Sequence, residues 1–192
     1  MDGIINSLGT LIYATLIYSP PLLFAAMGSC FSENSGVVNI GIEGMMTIGA
    51  FAGAAVGYLT GNAWLGFLCA GLAGAFFGLL HAVATVSLNA DQTIAGTAIN
   101  FLAPGVALLI SKALFDSSDT PALLDAKLPM MFNGVFEGGT VWSRFFKNVF
   151  NTYSTSYLVF ILVIVVWFVF YKTKFGLRLR AVGENPAAAD SV

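Results

Sequence analysis

Five long apolar stretches, separated by short polar breaks, decide what this chain can fold into. They cover residues 8–31, 37–60, 63–88, 93–115 and 156–171. A helix needs about 20 apolar residues to cross a bilayer. Only 9% of the residues are charged, against about 25% in soluble domains, so the chain cannot build a water-facing shell. The sequence predicts an all-α membrane protein, a polytopic helical bundle forming one domain over residues 1–192.

The position of the charges predicts the orientation. Four basic residues directly follow the last apolar stretch: Lys172, Lys174, Arg178 and Arg180. Basic residues next to a span favour the cytoplasmic side. With a cytoplasmic segment at 172–192, counting back places the loop 116–155, with Asp125 and Glu137, outside together with the N-terminus. The count changes by one if residues 37–44 cross or return independently. No Lys or Arg precedes the first apolar stretch, so a cleavable signal peptide is not expected.

Pro20 and Pro21 lie near the middle of the first apolar stretch. Each proline removes a backbone donor and crowds the preceding turn. We therefore expect a kinked or unwound, broken helix at this point. A simple kink and a role in a transport pathway are weighed equally.

Asn39 and Glu43 stand inside a stretch that is otherwise apolar and rich in glycine. At a spacing of four they would share one face of a helix, which Met46 and Ala50 continue. A carboxylate inside a span is costly unless it faces the bundle interior or a wet cavity. This face is therefore a candidate functional site, although for Glu43 a role in holding two helices together is weighed equally.

Small residues recur every four positions in two consecutive stretches. The second stretch contains Gly49, Gly53, Gly57 and Gly61, and the third contains Ala70, Gly74, Gly78 and Ala82. Such ridges let two helices approach closely and pack by van der Waals contact. With only a short connection between them, the two stretches should form a tight antiparallel pair.

Two polar side chains within the later spans need partners in the bundle. His81 is the one histidine of the chain, and we expect it to form a hydrogen bond within the bundle rather than to relay protons or bind a metal. Asn100 should face inward and is expected to hold helices together, with a place in the pathway as the alternative. No metal site and no cofactor is expected for this chain.

The end of the chain has the pattern of a short helix. Asn185 suits an N-cap, Pro186 suits the first helical position, and Ala187 to Ala189 continue it. A helix of under two turns is unstable by itself, because nucleation costs more than each added residue returns. We expect it to dock on a partner protein and the chain to continue beyond Val192.

Three separated segments carry a resemblance to a known family: SGVVNIGIEGMMTIGAFAG, ADQTIAGTAINFLAPGV and FGLRLRAVGENPAAADSV. They resemble the membrane permease subunits of ABC importers of the branched-chain amino acid and simple-sugar group, in particular the nucleoside permeases that work with a Bmp-type lipoprotein. The resemblance covers essentially the whole chain in matching order. It implies the N-terminal part of a longer permease, with further spans after Val192, in the bacterial cytoplasmic membrane.

The resemblance also implies a function and partners. The chain would form the translocation pathway for a nucleoside or related small solute. Its partners would be an ABC ATPase that binds the ATP, a second permease subunit that is a paralogue of this chain, and an extracytoplasmic substrate-binding lipoprotein. No GxxxxGK[ST] phosphate loop occurs in the chain, so we expect a transport subunit that is not itself an enzyme.

The resemblance assigns two sets of residues. The expected pathway lining is Asn39, Glu43, Met46, Gln92, Thr93 and Asn100, because amides and a carboxylate match the hydroxyls and base edges of a nucleoside. The expected coupling helix, which would transmit the movement of the ATPase, contains Gly183, Glu184, Asn185, Pro186, Ala187, Ala188 and Ala189. Each pathway residue could instead hold helices together. The segment 172–192 could instead bind anionic lipid through its basic residues. Glu184 and Asp190 argue against the lipid alternative.

Other functions stay open at this point. Ribose-type relatives carry GIDLSVG where this chain has NIGIEGMM, which favours a nucleoside, with riboflavin, a simple sugar or a branched-chain amino acid as alternatives. An ion-coupled secondary transporter using Glu43 and His81 is the alternative from another class. An intramembrane enzyme has little support, since neither HExxH nor GxSxG occurs.

Overall fold

The structure, a computed structural model, describes residues 2–120, 127–132, 135, 138 and 140–190. Within these residues the helices are α1 (Asp2–Asn34), α2 (Ile42–Thr60), α3 (Ala63–Ala82), α4 (Gln92–Phe115), α5 (Val141–Phe150), α6 (Ser154–Lys172), α7 (Lys174–Glu184) and α8 (Pro186–Asp190). A single π-helical turn at Val83–Ser87 extends α3. Asp125 and Glu137 of the predicted outer loop lie outside the described residues.

Five of these helices, α1, α2, α3, α4 and α6, are long and apolar enough to cross a membrane. In the described part of the chain, β pairing is limited to an isolated bridge between Met130 and Tyr153. The prediction of an all-α polytopic membrane protein is therefore confirmed. Residues 37–41 form no helix, and five extended residues reach only about 17 Å, so they cannot cross a bilayer independently.

The described chain divides into two compact units. The first comprises Met1–Met27 and Leu128–Gly176, and the second comprises Gly28–Lys127 and Leu177–Val192. In the first unit, α5 lies on the N-terminal part of α1, where the ring of Phe145 would be 3.2 Å from a Cβ added to Gly9. The aromatic residues of α5 continue along one side, and the rings of Phe146 and Phe150 stack with centroids 6.3 Å apart.

The first helix stays helical through Pro20 and Pro21, so the expected unwinding does not occur. In an unbroken helix the carbonyl of Leu16 would accept a hydrogen bond from residue 20, which proline cannot donate. The hydroxyl of Ser156, on α6, donates to the Leu16 carbonyl instead, at 3.0 Å. Another helix thus replaces the missing donor, as bundles do at membrane depth.

In the second unit, α2 and α3 form an antiparallel pair through backbone contact. A Cβ on Gly49 would lie 3.1 Å from the Ala70 carbonyl oxygen, and one on Gly66 would lie 2.6 Å from the Gly53 carbonyl oxygen and 3.3 Å from Gly57. The left-handed Gly61 (φ +66°) ends α2, which keeps the connection short. The closest approach therefore lies near this turn.

Along the predicted ridge of small residues on α3, the contact with α2 is looser than expected. Gly74 and Gly78 face Met45, and added Cβ atoms would be 3.5 Å from its carbonyl oxygen and 3.8 Å from its sulfur. The helices are thus further apart here than at Gly66, and at Gly78 the Met45 side chain lies between them. Helix α4 completes the unit, and the buried core consists of Ile48, Phe77, Ile99, Ala103 and Ala107.

Replacing Gly66 with Ala should destabilise the α2–α3 pair, because the new methyl group meets backbone that cannot rotate away. Overpacking of this kind costs about 1–3 kcal/mol. Gly71→Ala, on the same helix, is the matched control: nothing lies within 4 Å of its added Cβ. Thermal unfolding of the purified protein in detergent should show a lower midpoint for Gly66→Ala alone, and equal midpoints for both variants would contradict the tight contact.

Candidate functional site

The candidate site is built around a non-helical segment, residues 35–41, which connects α1 to α2. Asn39 lies in this segment rather than on α2, so the predicted helical face shared by Asn39 and Glu43 is wrong. The Asn39 side chain explains the turn, since its Oδ1 accepts a hydrogen bond from the Gly41 N–H at 3.0 Å. Asparagine forms such local turns readily, at the expense of helix.

Side chains from α3 and α4 satisfy the backbone of the 35–41 segment. The Val38 N–H donates to Oε1 of Gln92 at 2.7 Å, while Nε2 of Gln92 donates more weakly to the Gly36 carbonyl at 3.5 Å. The Nε2 of His81 lies 3.4 Å from the Val38 carbonyl oxygen. A non-helical stretch needs such partners, because it cannot pair its own peptide groups.

Asn100 connects the end of the segment to the first turn of α2. Its Nδ2 donates to the Ile40 carbonyl at 3.0 Å, and its Oδ1 accepts from the Gly44 N–H at 2.7 Å. Gly41 occupies the N-cap position and has no side chain to cap the helix. Asn100 therefore caps α2 from the neighbouring helix α4, which agrees with the expectation that it holds helices together.

Close backbone contact explains why glycines recur at this place. A Cβ on Gly96 of α4 would lie 2.9 Å from the Gly41 nitrogen, and one on Gly44 would lie 2.6 Å from the Ile99 carbonyl oxygen. Gln92, Gly96 and Asn100 follow one another at a spacing of four and so form one face of α4. Gly96 was not among the predicted site residues, although its spacing of four from Gln92 and Asn100 is present in the sequence.

His81 is the most enclosed polar group of the site, with only 3% of its surface exposed. Its Nδ1 has no hydrogen-bond partner within the described chain. The expected hydrogen bond within the bundle is present on the other nitrogen. Thr85, one turn further, donates to the His81 carbonyl at 2.8 Å.

The six predicted pathway residues divide into two groups. Asn39, Gln92 and Asn100 are engaged with the backbone of the segment or of α2. Glu43, Met46 and Thr93 are exposed. On α2, Glu43, Met46 and Ala50 form an exposed stripe, opposite the buried Gly44, Ile48 and Gly49. The second unit thus presents a carboxylate on an otherwise apolar helix face.

The end of the described chain, residues 177–190, is called the tail below, and it lies close to the 35–41 segment. Helix α8 begins at Pro186, directly after Asn185, as the sequence predicts. Gly183 faces inward, since a Cβ added to it would collide with the Asn34 carbonyl oxygen. Glu184, Asn185, Pro186 and Ala187 are exposed. Of the seven predicted coupling residues, Gly183 therefore packs internally, these four are accessible and Ala189 is half-buried. The side chain of Ala188 lies outside the described part of the structure.

Comparison with known proteins now identifies the family. The chain matches the model described as branched-chain amino acid transport system / permease component over residues 11–192. It belongs to this permease family. The predicted resemblance is confirmed, and the family is one of transport components rather than enzymes. No solved structure matches the chain.

Individual relatives agree with this assignment. The chain is 42% identical to the guanosine ABC transporter permease protein NupQ of Bacillus subtilis, over 98% of this chain and 60% of the relative. It is 36% identical to the nucleoside ABC transporter permease protein NupC of Lactococcus lactis, over 99% of this chain and 61% of the relative. A putative glucose ABC transporter permease protein, TsgC13 of Haloferax volcanii, is 34% identical over 95% of this chain and 54% of the relative. The chain spans about three fifths of the length of the first two relatives.

Replacing Asn100 with Leu should loosen the start of α2, because the Ile40 carbonyl and the Gly44 N–H both lose their partner. Leaving such groups unpaired costs about 1–3 kcal/mol each when they are buried. Hydrogen exchange measured by mass spectrometry should be faster in peptides covering residues 40–46. Thr97→Val is the control, since its hydroxyl bonds only within α4, to the Thr93 carbonyl. Equal exchange in both variants would exclude the capping role.

Proposed function

We propose that this chain is part of a permease subunit of an ATP-binding cassette importer. It would contribute to the translocation pathway for a nucleoside or a related small solute, driven by a separate ATPase. Two relatives whose names specify guanosine and nucleoside transport, at 42% and 36% identity, support the substrate class. A bacterial cytoplasmic membrane is the proposed location, and a second permease subunit and a substrate-binding lipoprotein are the proposed further partners.

The exposed carboxylate of Glu43 is the structural observation that carries the proposal. A carboxylate on a spanning helix avoids lipid and faces either a water-filled route or another protein segment. The side chains of Gln92 and Asn100 already form hydrogen bonds to backbone groups. The carboxylate of Glu43 is exposed, so it is available to bind a solute. A nucleoside offers hydroxyl and amine donors that a carboxylate can accept. Met46 and Thr93 are proposed as further lining residues.

Glu43 could serve the fold instead, because it lies in the first turn of α2, where the helix dipole favours a negative charge. Such an interaction contributes only about 0.3–1 kcal/mol. A charge-assisted hydrogen bond to a solute is worth about 1.5–3 kcal/mol. The two roles therefore predict effects of different size on transport and on stability.

The proposed contact with the ATPase is the exposed part of the tail, Glu184 to Ala187, together with the backbone of α8. Five residues of helix do not persist alone in water, so a protein partner accounts for this element better than solvent does. Gly183 packs against Asn34 and is assigned to the inner side of the same element.

Purification of the full-length protein with its co-expressed partners tests the proposed function. Reconstituted in liposomes, the complex should take up guanosine only when ATP is present on the side of the membrane that carries α8. Uptake should survive an ionophore that removes the proton gradient. Uptake that needs the gradient and continues without ATP would overturn the proposal in favour of an ion-coupled transporter.

Glu43→Gln should lower guanosine uptake about tenfold, the effect of losing one charge-assisted hydrogen bond, while leaving membrane insertion intact. Asp119→Asn is the control, because Asp119 is an exposed carboxylate in the loop after α4. Uptake by reconstituted liposomes and thermal unfolding are measured for both. Normal uptake by Glu43→Gln would reject a place for this carboxylate in the route.

A further inference from the structure

The end of α7 lies directly against the junction between α1 and the 35–41 segment. A Cβ added to Gly183 would collide with the Asn34 carbonyl oxygen and would lie 3.2 Å from the Gly36 nitrogen. From the opposite side, a Cβ added to Gly36 would lie 3.4 Å from the Gly183 Cα. The two backbones therefore touch with no side chain between them.

A glycine turn and two hydrogen bonds fix the backbone of the junction. Gly36 has a left-handed backbone (φ +85°), which glycine adopts without strain. The hydroxyl of Ser32 donates to the Val37 carbonyl at 2.6 Å, and the Val37 N–H donates to the Ser32 carbonyl at 3.1 Å. A displacement of Gly36 therefore moves the adjoining residues with it.

On its far side, the segment is held by Gln92. The single Gln92 side chain bonds both to Gly36, the residue that touches Gly183, and to Val38, two residues further on. Ile40, at the end of the segment, is bonded to Asn100. Glu43 follows three residues later, in the first turn of α2. A continuous path of backbone contacts and hydrogen bonds thus leads from the tail to the exposed carboxylate.

We propose that Gly183 and Gln92 are positioning residues that connect the tail to the solute site. Gly183 seats the tail on the 35–41 segment, and Gln92 keeps that segment on α4. When a partner displaces α8, the movement reaches the backbone that carries Glu43. This inference rests on the proposed function, because it requires a partner that acts on α8.

The experiment compares the coupling of uptake to ATP hydrolysis in four variants of the full-length protein, each within the assembled importer in liposomes. Gly183→Ala forces the two backbones apart. Gln92→Met removes both hydrogen bonds and preserves the side-chain length. Gln92→Glu keeps the oxygen that accepts from the Val38 N–H, which is the shorter of the two hydrogen bonds. Gly28→Ala is the control, since nothing lies within 4 Å of its added Cβ.

Guanosine taken up per ATP hydrolysed is the quantity measured, on complexes shown to contain the ATPase. It should fall at least about fivefold in Gly183→Ala and Gln92→Met, the lower end of typical coupling effects between sites. Gln92→Glu should retain most of the ratio, and Gly28→Ala all of it. A merely structural contact would lower the thermal midpoint and leave this ratio unchanged.

The possible failures are distinguishable. If the unmutated importer shows no ATP-dependent uptake, the proposed function is wrong. If it transports normally and Gln92→Met keeps the full ratio, the positioning role is overturned. Should Gly183→Ala fail to assemble, Gln92→Met decides, because it adds no bulk at the contact.

Discussion

Peptide groups inside a membrane need hydrogen-bond partners, and in the second unit side chains of neighbouring helices supply partners that the local backbone lacks. A helix pairs its own peptide groups, but the 35–41 segment cannot. Ser32 and Asn39 pair some of its peptide groups locally. Gln92 and Asn100 pair others from α4, and His81 lies close to the Val38 carbonyl. The same requirement operates in the first unit, where Ser156 pairs the Leu16 carbonyl next to the prolines. Polar residues in these spans thus serve the backbone first.

This requirement separates polar residues that look alike in the sequence. Gln92 and Asn100 are amides in α4, and both are committed to backbone groups of the segment or of α2. Glu43 was predicted to line the same pathway, but it lies in the first turn of α2 and is exposed. Removing an amide should therefore change the order of the segment, whereas removing the carboxylate charge should change what the exposed face can bind. Of these three residues, Glu43 contributes least to the fold, and for this reason it is the one proposed to contact the solute.

Features that depend on local periodicity could be predicted from the sequence. The apolar spans, the close approach of α2 to α3 and the start of α8 at Pro186 all follow from residues within a few turns of one another. The partners that hold the non-helical segment could not be predicted, because they are distant in the chain: Gln92 is 54 residues from Val38, and Asn100 is 56 residues from Gly44. The intact helix at Pro20 depends on Ser156, which is 140 residues from Leu16. Periodicity gives helices, and only tertiary contact shows which backbone groups need an outside partner.

Backbone contact also suits the transmission of movement better than side-chain contact does. A long side chain between two elements can change rotamer and absorb a displacement of an ångström or more. Two glycine backbones in contact have no such freedom, so Gly36 must follow or separate from Gly183 when the tail moves. In the proposed movement, the hydrogen bonds from Gln92 and Asn100 would determine whether the segment moves with the tail or stays with α4. Because the two amides hold opposite ends of the segment, weakening Gln92 should free the end near the tail while Asn100 still fixes the first turn of α2. The connection would then be lost between Gly36 and Glu43, with both helices intact.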